Sequence, residues 1–341
     1  MACKSAMSII CVLMATSFTA EKTFAWGKIG HESVAIVAES VLDSNIKTKV
    51  TKILQGGTMA DAATFPDKVK HTGPWQHTAP YHFADMDDSQ TYLEMIDSLP
   101  AKSKGTGDVI RALVKAEDIL RDSNASADLQ RNALSFMIHL IGDLHQPLHE
   151  GRPDDRGGND IDATYFGVKT NLHSVWDTYI IENILKNLMP AGVTVPSLKA
   201  LFVGKPVAKD DTATFVDQLR TPTKREIAQW QDSYLIDWST DSIENRSEIY
   251  SSWKGSNGAA YQKKYSDYVN DKILMAGYRL GAWLNAIFAG DDFQAEKSAE
   301  LRDHFAKALG KNYGDAITLE PSGKGLAMSA AEIHAHDCHD D

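Results

Sequence analysis

Residues Leu129–Leu144 read LQRNALSFMIHLIGDL. Leu134, Ile138 and Ile141 recur at helical spacing and form one apolar stripe. His139 and Asp143 lie four residues apart, so a helix points the imidazole and the carboxylate the same way. Similar periodicity runs outward from this stretch. Val34, Val37, Ala38 and Val41 follow Gly30. Trp176, Ile180 and Ile184 follow His173. Val269, Ile273, Ala276, Leu280, Trp283, Leu284 and Ile287 make a long amphipathic stripe. Ala295–Leu309 also reads as a helix, and the pattern fades from Tyr313. Strand signals are scarce: Asp160–Val168 (DIDATYFGV), after Gly157-Gly158, predicts one short hairpin arm. The expected fold class is all-α, a single mainly helical domain with long loops.

The chain has 341 residues, enough for a substantial core, and its 43% hydrophobic and 24% charged residues are those of an ordinary globular protein. A formal net charge of -11 speaks against a basic nucleic-acid-binding surface. Bound divalent ions would reverse that locally, because an ion is the largest charge in its site.

The N-terminus reads as a cleaved signal peptide, residues 1–25. Lys4 supplies the positive start, Ser8–Ala20 is mostly apolar, and Thr23 and Ala25 are the small residues before the cut. An uncleaved anchor is the alternative; the apolar run is short for a bilayer span. Cys3 and Cys11 lie inside this segment, so only Cys338 would survive cleavage and no internal disulfide would form. A secreted or periplasmic location follows. Residues 26–290 are expected to form the catalytic domain and 291–341 a C-terminal extension with a partly disordered tail. The tail carries His334, His336, Cys338 and His339, which either bind metal or belong to a solvated terminus. Asn124-Ala-Ser and Asn245-Arg-Ser are glycosylation sequons, relevant only in a eukaryotic secretory pathway.

The chemistry concentrates in Ile138–Tyr179. After His139 and Asp143 come His149, Gly157-Gly158-Asn159, and a second four-residue pair, His173 and Asp177. Imidazole nitrogen and carboxylate oxygen are zinc ligands, and several from different elements make a site. No cysteine takes part, which excludes a zinc finger or ribbon. Upstream, Asp67 precedes His82 in Pro80-Tyr81-His82-Phe83-Ala84-Asp85, and His31 follows Trp26 by five residues. Cleavage after Ala25 would free the Trp26 α-amine, which with its carbonyl oxygen could chelate a metal. Asp61 competes with Asp67 for the upstream carboxylate position.

This ordered set resembles the S1/P1 nucleases, whose mature chains begin with Trp and carry three zinc ions. The likeness covers roughly Trp26 to Ala289, including Ala276-Gly-Tyr-Arg-Leu280. It implies that Asp67, His82, His139 and Asp143 hold one Zn2+. Trp26 and His31, with Asp143 bridging, would hold a close neighbour, and His149, His173 and Asp177 the third. Lys70, where the family has a basic residue, favours Asp67 over Asp61. Phe65-Pro66 departs from the usual Trp-Ala, and the disulfides common in extracellular relatives cannot form here. The implied reaction is hydrolysis of single-stranded DNA or RNA by metal-activated water, leaving 5′-phosphates, with 3′-nucleotidase activity beside it, and the expected state is a monomer. Lys70 and Asp143 are the catalytic candidates. The resemblance places a base on Phe83 with its edge hydrogen-bonded to Asp85; Asn159 is read as a substrate contact or an orienter of ligands. Zinc phospholipase C is the nearest alternative, disfavoured by Asp177 where those enzymes carry Glu. A non-catalytic zinc-binding protein is the alternative from another class.

Overall fold

The structure, a computed structural model, describes residues 26–188, 209–254 and 258–322. Residues 1–25, with the signal-peptide reading, and the His/Cys tail from 334 onward lie outside them. The described residues are mainly helical. The helices are α1 Lys28–Ser40, α2 Ser44–Ile53, α3 Met59–Ala63, α4 Phe65–Val69, α5 Tyr92–Ser98, α6 Val109–Arg121, α7 Ala127–Leu144, the single turn α8 Leu172–Ser174, α9 Ile180–Leu188, α10 Lys209–Asp217, α11 Lys224–Gln231, α12 Leu235–Ile243, α13 Arg246–Trp253, α14 Gly258–Ala289 and α15 Ala295–Leu309. Two 3-10 segments, Gly73–His82 and Pro147–Glu150, and a π turn, Val175–Tyr179, also carry residues of the site.

Helix α7 is the axis of the fold. Ser126 caps it, its hydroxyl accepting from the amide of Leu129 at 3.1 Å. From Asn132 to Leu144 every residue is buried, so the stripe read from the sequence understates the helix: α1, α3, α4, α6 and α14 pack around it. The helix stops before Pro147, which cannot donate to a continuing turn. Helix α14 closes the core, with the whole predicted stripe from Val269 to Ile287 buried. It meets α1 across glycines. A Cβ on Gly277 would lie 2.5 Å from the Cβ of Val37, and one on Gly281 would lie 2.3 Å from Val41 Cγ2. Any side chain at either position would push the two helices apart.

The expected strand is a complete hairpin. Asp162–Tyr165 pairs antiparallel with Val168–Asn171, Tyr165 opposite Val168. Phe166 (φ 45°) and Gly167 (φ 86°) form the two-residue turn, both in the positive-φ region such hairpins require. Past Gly290 the chain stays on the same core. Helix α15 buries Leu301 and Phe305, and the strap behind it buries Ile317 and Leu319. The Ser322 amide donates to the carbonyl of Pro74 at 2.6 Å, tying the strap to the 3-10 segment that ends in His82. No helix of the described residues is long and apolar enough to cross a membrane.

Candidate metal centre

Helix α7 delivers His139 and Asp143 into full burial. Around them converge His31 from α1, Asp67 from α4, His82 from the end of its 3-10 segment and His149 from the next one. His173 comes from α8, and Asp177 from the π turn that follows. All are buried. A π turn shifts the hydrogen-bond register by one residue, a distortion found often at functional sites.

The Asp143 carboxylate is the hub. Its Oδ1 lies 3.3 Å from His31 Nε2, and its Oδ2 lies 2.9 Å from His82 Nδ1 and 3.2 Å from His139 Nε2. Asp67 Oδ1 faces the same two rings, 3.5 Å from His139 Nε2 and 3.7 Å from His82 Nδ1. The His31 ring stacks on His139 with centroids 3.8 Å apart. Beside this group, Asp177 Oδ1 lies 3.6 Å from His149 Nε2 and its Oδ2 lies 3.3 Å from His173 Nε2. Donor atoms gather within 4.8 Å of one another in three sets: His31/Asp67/His139, His82/His139/Asp143 and His149/His173/Asp177. The expected grouping put His31 with Asp143 and Trp26; here it also meets Asp67.

Backbone carbonyls fix the rings. His139 Nδ1 meets the carbonyl of Ala63, His149 Nδ1 that of His82, and His173 Nδ1 that of Gly157, each at 2.7 Å. A carbonyl only accepts, so each Nδ1 carries the proton and each Nε2 turns a lone pair inward. Gln146 Nε2 donates to Asp177 Oδ1 at 2.6 Å. These partners were not read from the sequence. Backbone carbonyls leave no residue-type signal, and a single glutamine such as Gln146 carries no spacing that marks it as a partner of Asp177.

Several inward atoms have no hydrogen-bond partner: Nε2 of His31 and His149, Oδ1 of Asp143 and Oδ2 of Asp177. Each such buried group costs about 1–3 kcal/mol if left unpaired. Divalent cations would take all of these lone pairs at once, and an imidazole/carboxylate donor set suits zinc. Electrostatics agrees. Burial alone would lower the His149 pKa, but the carboxylates of Asp143 and Asp177 raise it to about 9. The two carboxylates thus favour positive charge at His149. His82 moves the other way, to about 3, through burial and the Lys70 ammonium.

Lys70 Nζ sits 2.6 Å from Asp67 Oδ1. Burial would lower its pKa, and Asp67 outweighs that and holds it above the ordinary value. Asp61 is not in the cluster: its carboxylate closes a capping box with Thr58 at the start of α3. The cluster opens into a cleft of about 340 Å³ lined by Lys70, Phe83, Asp85, Arg156 and Asn159 among others. Phe83 is 43% exposed, at the cleft wall and outside the core. The Asp85 carboxyl is pushed up to about 7, chiefly by burial, with Asp155 adding to the shift against His149. The Asn159 amide donates to the carbonyl of Arg156 at 2.8 Å, within its own loop; the orienting bonds to the cluster come from Ala63, His82, Gly157 and Gln146. A larger open groove of about 760 Å³ along α1 and α2 contains no such cluster.

Trp26 is fully buried beside this centre. A Cβ on Gly30 would come within 2.6 Å of the Trp26 Cβ, and one on Gly142 within 2.8 Å of His31 Nδ1 and 3.6 Å of Trp26 Cδ1. Gly142→Ala is therefore a sharp test. In an open helix the change would stabilise by about 1 kcal/mol. Here His31 is stacked against His139 and cannot swing away, so the variant is expected to lose bound metal and melt at a lower temperature. Metal analysis and thermal unfolding check this; a stabilised variant with full metal content would mean the His31 ring is not confined.

A sequence model of the family described as S1/P1 Nuclease matches residues 26–289. Nuclease S1 of Aspergillus oryzae is 32% identical over 280 residues, 80% of this chain and 95% of that protein. Endonuclease 4 of Arabidopsis thaliana is 35% identical over 170 residues, 47% of this chain and 57% of that protein. Nuclease P1 of Penicillium citrinum is 31% identical over 163 residues, 47% of this chain and 60% of that protein. The family match spans the whole interval from Trp26 past Asp177 in which the buried imidazoles and carboxylates converge, and the likeness to Nuclease S1 runs nearly the length of that enzyme. The chain therefore belongs to the S1/P1 nuclease family of phosphodiester-cleaving hydrolases.

Proposed function

We propose that the protein is a three-zinc endonuclease acting on single-stranded DNA and RNA, releasing 5′-phosphate ends and also removing 3′-phosphates from nucleotides. The observation that carries this reading is the Asp143 carboxylate, with one oxygen facing His31 and the other facing His82 and His139, beside a separate donor set around Asp177 whose His149 and His173 open into the cleft. In the proposed assignment, Asp67, His82, His139 and Asp143 hold one ion, and Trp26, His31 and Asp143 its neighbour. His149, His173 and Asp177 hold the third. Bound zinc supplies an activated water and neutralises charge on phosphoryl oxygens.

The chain's own residues do the rest. Asp143 holds the first two donor sets at a fixed spacing. Gln146 and the carbonyls of Ala63 and Gly157 keep the ligand atoms aimed inward. Lys70, anchored by Asp67, presents a second positive charge where negative charge builds on the phosphate. Phe83 offers a flat face on which any base can stack, and Asp85 accepts from the base edge. Asn159 stands at the cleft wall as a further polar contact. A base swung out of a single strand can reach Phe83, whereas a paired base cannot. Removal of residues 1–25 on export, to the periplasm or medium, would free the Trp26 amine; a monomer suffices for this chemistry.

The test is zinc content measured together with cleavage of single-stranded DNA, on protein whose N-terminus is confirmed as Trp26. About three zincs per chain, cleavage lost to chelator and 5′-phosphate ends are the expected result. Zinc without cleavage would point to a storage role, or to phosphatidylcholine hydrolysis if that substrate is cut. Phe83→Ala should raise KM for oligonucleotides about tenfold, since stacking on an aromatic contributes about 1–3 kcal/mol per base. Phe83→Tyr should restore it. Steady-state kinetics that leave KM untouched in Phe83→Ala would remove the stacking role.

A further inference from the structure

The geometry points to Arg156 as a phosphate-binding residue for the substrate strand, on the cleft wall. This rests on the nuclease reading above.

Arg156 occupies a costly position. Its backbone is left-handed, φ 53° and ψ 50°, a conformation that side chains other than Gly, Asn and Asp rarely adopt. Gly157 (φ 63°) and Gly158 (φ 83°) continue the same left-handed run. The turn cannot relax, because it folds tightly over the ligand segment. A Cβ on Gly157 would lie 2.3 Å from the carbonyl oxygen of Leu148, and the Gly157 carbonyl orients His173. Glycine at 156 would fit this turn without strain, so the arginine side chain needs a reason.

Stability does not supply one. The side chain is 71% exposed, and its ion-pair partner Asp160 is 50% exposed. The guanidinium holds that carboxylate through Nε at 3.1 Å and Nη2 at 2.6 Å. An exposed pair four residues apart contributes little once solvent screens it. What the side chain does have is position. It lines the cleft along with Lys70, Phe83, His149 and His173. It therefore places a positive charge beside the proposed metal centre, in a chain whose net charge is -11. A guanidinium presents paired N–H donors that match phosphate oxygens. Asp160 holds that fork ready, and an incoming phosphodiester next to the scissile one exchanges with the exposed carboxylate.

Arg156→Gly and Arg156→Lys test this against wild type, with zinc content and melting temperature measured on each. Glycine suits the left-handed turn, so the variant should keep its zinc and melt no lower than wild type. Its kcat/KM on oligothymidylate should fall about tenfold, mostly through KM, the loss of one charged hydrogen-bond pair. The slope of log KM against log salt should flatten by about 0.7, the value of one phosphate contact on a single strand. Arg156→Lys should recover the salt slope and part of KM. Unchanged KM and slope in Arg156→Gly would overturn the inference, as would loss of zinc, which would make the position structural. Should wild type cleave no single-stranded DNA, the nuclease reading fails by itself. Fluorescence anisotropy of labelled oligothymidylate then decides on Arg156: an affinity and salt slope lost in Arg156→Gly uphold it, and equal binding discards it.

Discussion

Asp143→Ala is expected to abolish detectable cleavage of single-stranded DNA, to leave fewer than the proposed three zincs per chain and to lower the melting temperature. The carboxylate is fully buried, with one oxygen 3.3 Å from His31 and the other 2.9 Å from His82 and 3.2 Å from His139. Truncation leaves the three inward-facing rings with Asp67, already paired with Lys70, as their remaining anion and opens a hole at the end of α7. Breaking a buried charged group from its partners costs about 3–5 kcal/mol. In this protein that penalty falls on metal affinity and folding together, because bound metal adds its binding energy to stability. Metal-activated hydrolysis depends on several kcal/mol of charge stabilisation, which at about 1.36 kcal/mol per tenfold is a loss of about three orders of magnitude or more.

Asp143→Asn separates cavity from charge. The amide fills the same volume but lacks the second anionic oxygen, so it cannot bridge two ions. It should melt closer to wild type than Asp143→Ala while remaining equally inactive. Three zincs and full turnover in either variant would remove Asp143 from the centre of the proposed site.

The two four-residue pairs were legible because helical geometry projects such residues to one side. The second pair survives a change of helix type: His173 lies on an α turn and Asp177 on a π turn, yet both carboxylate oxygens still face the rings of His149 and His173. Other features were hidden for physical reasons. Asn132, Ser135, His139 and Asp143 follow one another at helical spacing as a polar face would, but all are inside: His139 and Asp143 because a site built into a core buries its own ligands, Asn132 and Ser135 because they bond the carbonyls of Leu319 and Arg131. The approach of His31 to Asp67 depends on how α1 and α4 pack against α7, which no local spacing encodes. Ile317 and Leu319 lack helical periodicity because they lie in an irregular strap, and they are buried only by meeting the rest of the chain. Phe83 could not be assigned to core or surface from its type; only its position at the cleft wall separates the two.

A single residue left ahead of Trp26, such as Gly or Met, should cost one zinc and at least about a hundredfold in activity while leaving the fold nearly untouched. The indole is fully buried, packed where Gly30 and Gly142 lack a Cβ. The next amide, that of Gly27, donates to the carbonyl of Asp177 at 2.5 Å. Neither interaction requires a free amine, so both persist in the extended chain. What changes is the nitrogen of Trp26. A free α-amine, with an ordinary pKa of about 8, offers a lone pair near neutral pH, whereas the same nitrogen within a peptide bond is delocalised and ligates poorly. Trp26→Ala on an otherwise mature chain makes the opposite change: it keeps the amine and empties the packing, so it should retain three zincs better than the extended chain while melting lower. Comparing the two tells ligation from packing. An extended chain that keeps three zincs and full activity would leave Trp26 a core residue, with His31, Asp67 and Asp143 holding their ion without it.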